Sequence, residues 1–261
     1  MKKKFSLIFI ALAFLTANVP DFSFKSTKGK TYQLSELRGR LVYLNFFSEN
    51  CYPCKREVPL LNEISKLNPD LLLVFGIGYN YPSMSKLAQS QKRMKMDFPV
   101  LFDPKNQLAN ELGVFYLPCG FLIDEQGKIK KKFIGEQGEF LKSFLQKEVQ
   151  RLEKKLEGRE IYLGEFKPIN SSAQIPAVEI KNELRNILFQ NGYMVVSLKE
   201  KASFVINAEI GRWIEIVEFH FWLCTNTKKP VCYEKRVQSL GANATRYLQE
   251  IDRGFSQLTT K

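Results

Sequence analysis

Cys51 and Cys54 stand two residues apart in the stretch SENCYPCKREVP. Thiols at this spacing can close a reversible disulfide or supply half of a tetrahedral metal site. The metal site needs further thiol or imidazole ligands. The chain has 5 cysteines and 1 histidine, His220, which lies far downstream, and it contains no second C-x-x-C. That inventory favours dithiol redox chemistry with no metal and no cofactor. Glu57 follows Cys54 by one helical turn. Two fates are open to it: an exposed helix-surface acid, or a carboxylate that shapes the thiol pKa and relays a proton.

These side chains need a frame, and the preceding residues provide one. Leu41 to Phe47, LVYLNFF, is a nearly unbroken apolar run, as in a strand covered on both faces. Ser48-Glu49-Asn50 ends it, and Cys51 falls where a helix begins. The first amides of a helix lack internal partners and its N-terminus is partly positive, so a thiolate at Cys51 is stabilised and its pKa depressed. Pro53 suits the first turn, where a proline loses no helical hydrogen bond. Pro59, further in, removes one such bond and predicts a kink.

The flanking sequence predicts an α/β unit. Asp21 to Gly39 reads as a short hairpin and a turn. After the Cys51 helix come a strand at Leu71 to Tyr79, a helix at Ser83 to Met96 with Met84, Leu87 and Met94 inward, a short strand at Phe98 to Asp103, and a helix at Asn106 to Leu112. Alternation of this kind implies parallel strands joined by right-handed crossovers. Gly113 to Asp124, GVFYLPCGFLID, is followed by a turn at Glu125 to Lys128, a strand at Ile129 to Ile134 and a closing helix at Phe140 to Leu156.

Asn45-Phe46-Phe47 and Cys51-Tyr52-Pro53-Cys54-Lys55-Arg56-Glu57-Val58-Pro59, taken with Pro118, Phe121 to Asp124, Gly127 and Ile129, resemble the thioredoxin superfamily. The match is to its exported branch of TlpA, ResA and CcmG-like thiol-disulfide oxidoreductases, and it covers residues from about 20 to 156. It implies a thioredoxin-like fold with a central insertion between Leu71 and Gly113. It also implies a cis Leu117–Pro118 bond beside the cysteine pair, presenting the Leu117 backbone to a substrate segment, and a part for Glu57 in thiol chemistry. Asn50 stands where the family has tryptophan, and Cys119 where it has threonine. Cys119 reads either as a small buried hydrophobe or as a third thiol beside the site.

Beyond Gly158 the resemblance ends. Residues 158–177 read as a linker, since Leu163 to Ala177 holds Pro168, Pro176 and a Ser171-Ser172 pair without periodicity. Residues 178–261 predict a small α+β domain: a helix from Val178 to Gly192, antiparallel strands at Tyr193 to Leu198, Ser203 to Ile210, Ile214 to Cys224 and Val231 to Leu240, and a last helix from Ala244 to Leu258. Its pattern loosely resembles envelope domains of the LpoB, CsgG and TolB N-terminal type, which implies an envelope protein partner. Cys224 and Cys232 flank a turn and are placed for a cross-strand structural disulfide.

Met1-Lys2-Lys3-Lys4 and the apolar run Phe5 to Ala17 read as a secretory signal over residues 1–17, short for a membrane span, with an uncleaved anchor as the alternative. Residues 18–157 then form the thioredoxin-like domain of a periplasmic or otherwise extracytoplasmic protein. The net charge of +12 does not imply nucleic acid, because the clusters at Lys2–Lys4 and Lys128–Lys132 fit a signal and the solvated face of a hairpin. The expected partners are disulfide-bearing protein substrates and a membrane or periplasmic thiol donor. The resemblance implies a reductant serving cytochrome c maturation or disulfide repair. Two rivals stay open: a thiol peroxidase, suggested by Ser48-x-x-Cys51 but lacking the upstream proline at Leu44, and a non-enzymatic docking protein.

Overall fold

The computed structural model describes residues 19–168, 184–189, 191–197, 199–213, 216–240 and 244–259. The expected signal at 1–17 and the first part of the helix expected from Val178 lie outside them. The chain opens with the antiparallel hairpin β1 (Ser23–Lys25) and β2 (Thr31–Gln33). Next come β3 (Leu41–Phe47), α1 (Tyr52–Ile64), β4 (Leu72–Gly78), α2 (Met84–Arg93), β5 (Val100–Phe102), α3 (Gln107–Glu111), β6 (Cys119–Ile123), β7 (Ile129–Ile134) and α4 (Glu139–Leu156).

These strands form one sheet in the order β5-β4-β3-β6-β7. β3 runs parallel to β4 and antiparallel to β6. All seven residues of β3 are buried, as the apolar run requires. Side chains alternate across a strand, so Leu41, Tyr43 and Phe47 join one apolar cluster with α1 and α4, while Val42, Leu44 and Phe46 join a second with the hairpin and α3. Asn45 shares the α1 face. Two faces are thus covered and the central strand carries the site.

α1 buries Cys54, Glu57, Val58, Leu61 and Ile64, the spacing of a core-facing helical stripe. The helix continues through Pro59. In α2 Leu87 is buried as expected, but its companions are Ser90 and Gln91 rather than Met84. Gln91 Nε2 donates to the carbonyls of Met96 and Phe98, which satisfies a buried amide.

The second half departs from expectation where a linker was predicted. Glu160–Pro168 is a strand, β8, inside a second sheet. Its Ile161 and Leu163 are fully buried. That sheet also holds β9 (Met194–Val196), β10 (Phe204–Trp213), β11 (Ile216–Thr225) and β12 (Cys232–Leu240), in the order β12-β11-β10-β8-β9. β8 pairs in parallel with both β9 and β10, so the sheet is mixed rather than antiparallel throughout. Residues 184–189 are helical (α5) and Ala244–Thr259 forms α6. Gly192, at φ +79, ends α5 as a left-handed stop. The larger apolar cluster runs on from Leu152 and Leu156 of α4 to Leu184, Leu188 and Phe189 of α5 and to Ile206 of β10.

Candidate functional site

Cys51 is the N-cap of α1, and Tyr52 and Pro53 begin the helix. Its sulfur accepts the Cys54 backbone N–H at 3.2 Å, the capping arrangement in which a helix amide meets an anion. Cys51 and Cys54 are joined as a disulfide, with 5.3 Å between their Cα atoms. Cys51 is half-buried and Cys54 buried, so an incoming group meets the first sulfur before the second.

The Leu117–Pro118 bond is cis, as the family resemblance implies. Cys119 pairs with Phe46, so the antiparallel register sets Pro118 level with the end of β3 from which the chain turns to Cys51. The Pro118 carbonyl accepts Gly135 N–H at 2.8 Å, and Leu117 is half-buried. Around this end of the sheet Tyr52, Phe115 and Tyr116 are exposed, at 68%, 85% and 72%.

Glu57 is buried at 3% exposure, which corrects the reading of an exposed helix-surface acid. Its carboxylate accepts Asn45 Nδ2 at 3.1 Å and the Gln137 backbone N–H at 3.2 Å. Burial raises its pKa above the ordinary carboxylate value; the two hydrogen bonds oppose that shift and Glu136 adds to it. The Tyr43 hydroxyl belongs to the same buried group. Burial, and then Glu57, raise it far above a free phenol, so it stays protonated. A Cβ at Gly120 would come within 2.0 Å of that hydroxyl, which is why β6 carries glycine there. In the sequence Asn45 stands out only as part of the family motif and Tyr43 only as part of the apolar run, although a lone asparagine in a buried strand is itself a signal.

Cys119 is buried at 1% exposure among Phe46, Phe121 and Ile123. Burial raises its thiol pKa, with Lys132 partly opposing. Far from this site, Cys224 and Cys232 form a disulfide across directly paired positions of β11 and β12, with 4.1 Å between Cα atoms. His220 lies in β11 with Nε2 at 2.7 Å from Glu234 Oε1 and its ring tilted at 46° to Trp222, the centroids 4.2 Å apart. No group of three or more metal-ligating side chains occurs among the described residues. None of their helices is long and apolar enough to cross a membrane.

Comparison with known proteins places this geometry in a family. Residues 15–132 match the AhpC/TSA family. The thiol-disulfide oxidoreductase ResA of Geobacillus thermodenitrificans is 36% identical over 123 residues, covering 46% of this chain and 68% of that protein. ResA of Bacillus subtilis is 32% identical over 126 residues, covering 47% and 69%. Among solved structures, StoA of Bacillus subtilis is similar at 26% identity with a TM-score of 0.44, covering 48% of this chain and 96% of that one. The exposed lipoprotein thioredoxin Etrx1 of Streptococcus pneumoniae is similar at 29% identity with a TM-score of 0.45, covering 49% and 98%. A cysteine pair capping a helix beside a cis-proline, on a chain that aligns over two thirds of ResA, makes this protein a thioredoxin-like member of the ResA family of thiol-disulfide oxidoreductases.

Proposed function

We propose that the protein reduces disulfides in exported protein substrates through Cys51 and Cys54. The observation that carries this is the placement of the Cys51 sulfur on a helix N-terminal amide, half-exposed, with Cys54 buried behind it. In the reduced protein the Cys51 thiolate attacks one sulfur of a substrate disulfide. That S–S bond breaks, a substrate thiolate leaves, and a mixed disulfide forms. The Cys54 thiol loses its proton and attacks the Cys51 sulfur, releasing the second substrate thiolate. The substrate gains two electrons, and the two cysteines are left as the observed disulfide.

Glu57 takes the Cys54 proton in this scheme. It lies three residues along the buried stripe that carries Cys54, and burial raises its pKa above the ordinary carboxylate value, which makes it a stronger base than an exposed glutamate. Leu117 and Pro118 hold an extended segment of the substrate, and Tyr52, Phe115 and Tyr116 supply apolar area for it. Residues 1–17 direct export, to the periplasm or another extracytoplasmic compartment. There a membrane or periplasmic thiol protein re-reduces the pair. The substrates belong to cytochrome c maturation or disulfide repair, and residues 178–261 bind an envelope protein.

Trapping tests the reading. Cys54→Ala leaves the first step intact and removes the second, so the variant retains a substrate as a mixed disulfide on Cys51. Mass spectrometry of the trapped adduct identifies it. Peroxide consumption by Cys54→Ser without any trapped protein would point instead to a thiol peroxidase.

A further inference from the structure

A crevice of about 950 Å³ lies where the first sheet meets α5. One side is the first half of β4, Leu72 to Phe75. β4 pairs with β5 only from Gly76 onward, so this half presents an edge that β5 does not cover. Arg40, just before β3, and Arg185, on α5, both line the crevice. The Nε atoms of both are buried and have no hydrogen-bond partner among the described residues. Arg40 Nη2 reaches the Glu36 carbonyl at 3.4 Å, and the guanidinium lies 5.3 Å from the Phe189 ring. Asp70, the acid that acts on Arg40, hydrogen-bonds Ser197.

Two guanidinium groups with unfilled donors in one crevice are unfavourable by themselves. Buried donors without acceptors are destabilising, and like charges repel. The strain registers on Arg40, whose pKa is lowered to about 10 by burial and then by Arg185, against the opposing pull of Asp70 and Tyr32. The other charged side chains around the crevice are largely engaged. Lys66 pairs with Asp97 at 2.9 Å, and Lys30 lies over the Tyr32 ring at 4.9 Å. Glu36 is the remaining acid. A bound oxyanion would accept from the guanidinium groups that line the crevice and offset their repulsion, since the guanidinium fork matches carboxylate and phosphate geometry.

We propose that Arg40 and Arg185 form a binding site for a small phosphate- or carboxylate-bearing molecule, seated between the thioredoxin-like sheet and α5. The ligand fastens the second half of the chain to the first. The site uses none of the residues assigned to disulfide exchange, so it stands or falls separately.

The test is calorimetric titration and thermal unfolding of the full chain with inorganic phosphate and, separately, with citrate, at ionic strength held constant with sodium chloride. Saturable binding with a rise in Tm is expected from at least one anion, and the one that binds names the headgroup. Arg40→Gln and Arg185→Gln should each weaken binding by about tenfold or more. In anion-free buffer Arg185→Gln should raise Tm, because the repulsion on Arg40 is gone, whereas loss of a merely structural arginine would lower it. Should Arg40→Gln fail to fold, the half-buried Arg185 carries the test alone. Absence of saturable binding by either anion, or equal binding by wild type and Arg185→Gln, would overturn the proposal.

Discussion

Cys51 and Cys54 are joined across the first turn of a helix, whereas Cys224 and Cys232 are joined across two strands at directly opposed positions. The first pair has a backbone amide already aimed at the sulfur that would carry charge. The second has strand amides committed to the ladder and no helix start beside either cysteine. Opening the first bond therefore releases a thiolate into a site that stabilises it, while opening the second releases two ordinary thiols and slackens a hairpin. The same covalent link serves exchange in one surrounding and fastening in the other. What separates them is the secondary structure at the sulfur.

The largest expected effect breaks this comparison directly. Cys51→Ala should reduce insulin-disulfide reduction by on the order of 10³-fold or more, as loss of a nucleophile does. The paired change Cys224→Ser and Cys232→Ser should leave that rate within about twofold and lower stability by about 2–3 kcal/mol, the entropy of a short closed loop. Graded dithiothreitol followed by alkylation and mass spectrometry should open Cys51–Cys54 first. Simultaneous opening, or loss of reductase activity in the folded serine variant, would remove the distinction.

A smaller effect sharpens the first half of the comparison. Glu57→Gln should slow turnover by about 10²- to 10⁴-fold, the usual worth of a positioned proton acceptor, and should flatten the rise of rate with pH. It also has a stability signature. The folded-state pKa of Glu57 is raised above the ordinary glutamate value of 4.5. Its favourable contribution is therefore complete below that value and declines as pH climbs through the raised one. Glu57→Gln removes the decline, so its stability relative to wild type should increase as pH rises above the ordinary glutamate value in urea titrations. A pH-independent difference would mean that the carboxyl titrates normally.

The redox half of the molecule was legible because its signals are local. The C-x-x-C, the helix start, the buried strand and Leu117-Pro118 each announce themselves within a few residues. Glu57 was harder to read: residues 54, 58 and 61 define the buried stripe of α1 and 57 falls on it, but a glutamate there makes sense only once Asn45 and Gln137 are known to face it. β8 was missed for a different reason. Ile161 and Leu163 alternate inward, yet Gly164 and Pro168 punctuate the run. Gly164 is needed because Asn207 Oδ1 would sit 2.1 Å from a Cβ there, next to the register shift between Ile206 and Ala208. A parallel strand set by contacts some forty residues away leaves only a faint trace in its own sequence.

The third cysteine tests whether being near the site suffices for reactivity. Cys119 follows the cis-proline directly, yet its sulfur is buried in the cluster opposite α1. Burial raises its pKa, and the Lys132 amine, which donates to the Gly113 carbonyl at 2.8 Å, opposes that shift only in part. The thiol thus lacks access, and the one cation acting on it does not overcome burial. Cys119→Ala should leave disulfide reduction within about twofold and lower stability by about 1 kcal/mol, the worth of a small buried hydrophobe. In the reduced protein, limiting iodoacetamide should label Cys51 first and Cys119 last. Labelling of Cys119 in step with Cys51 would show that adjacency to Pro118 outweighs burial, and the contrast between helix-capping and strand-borne sulfurs would then have to be redrawn.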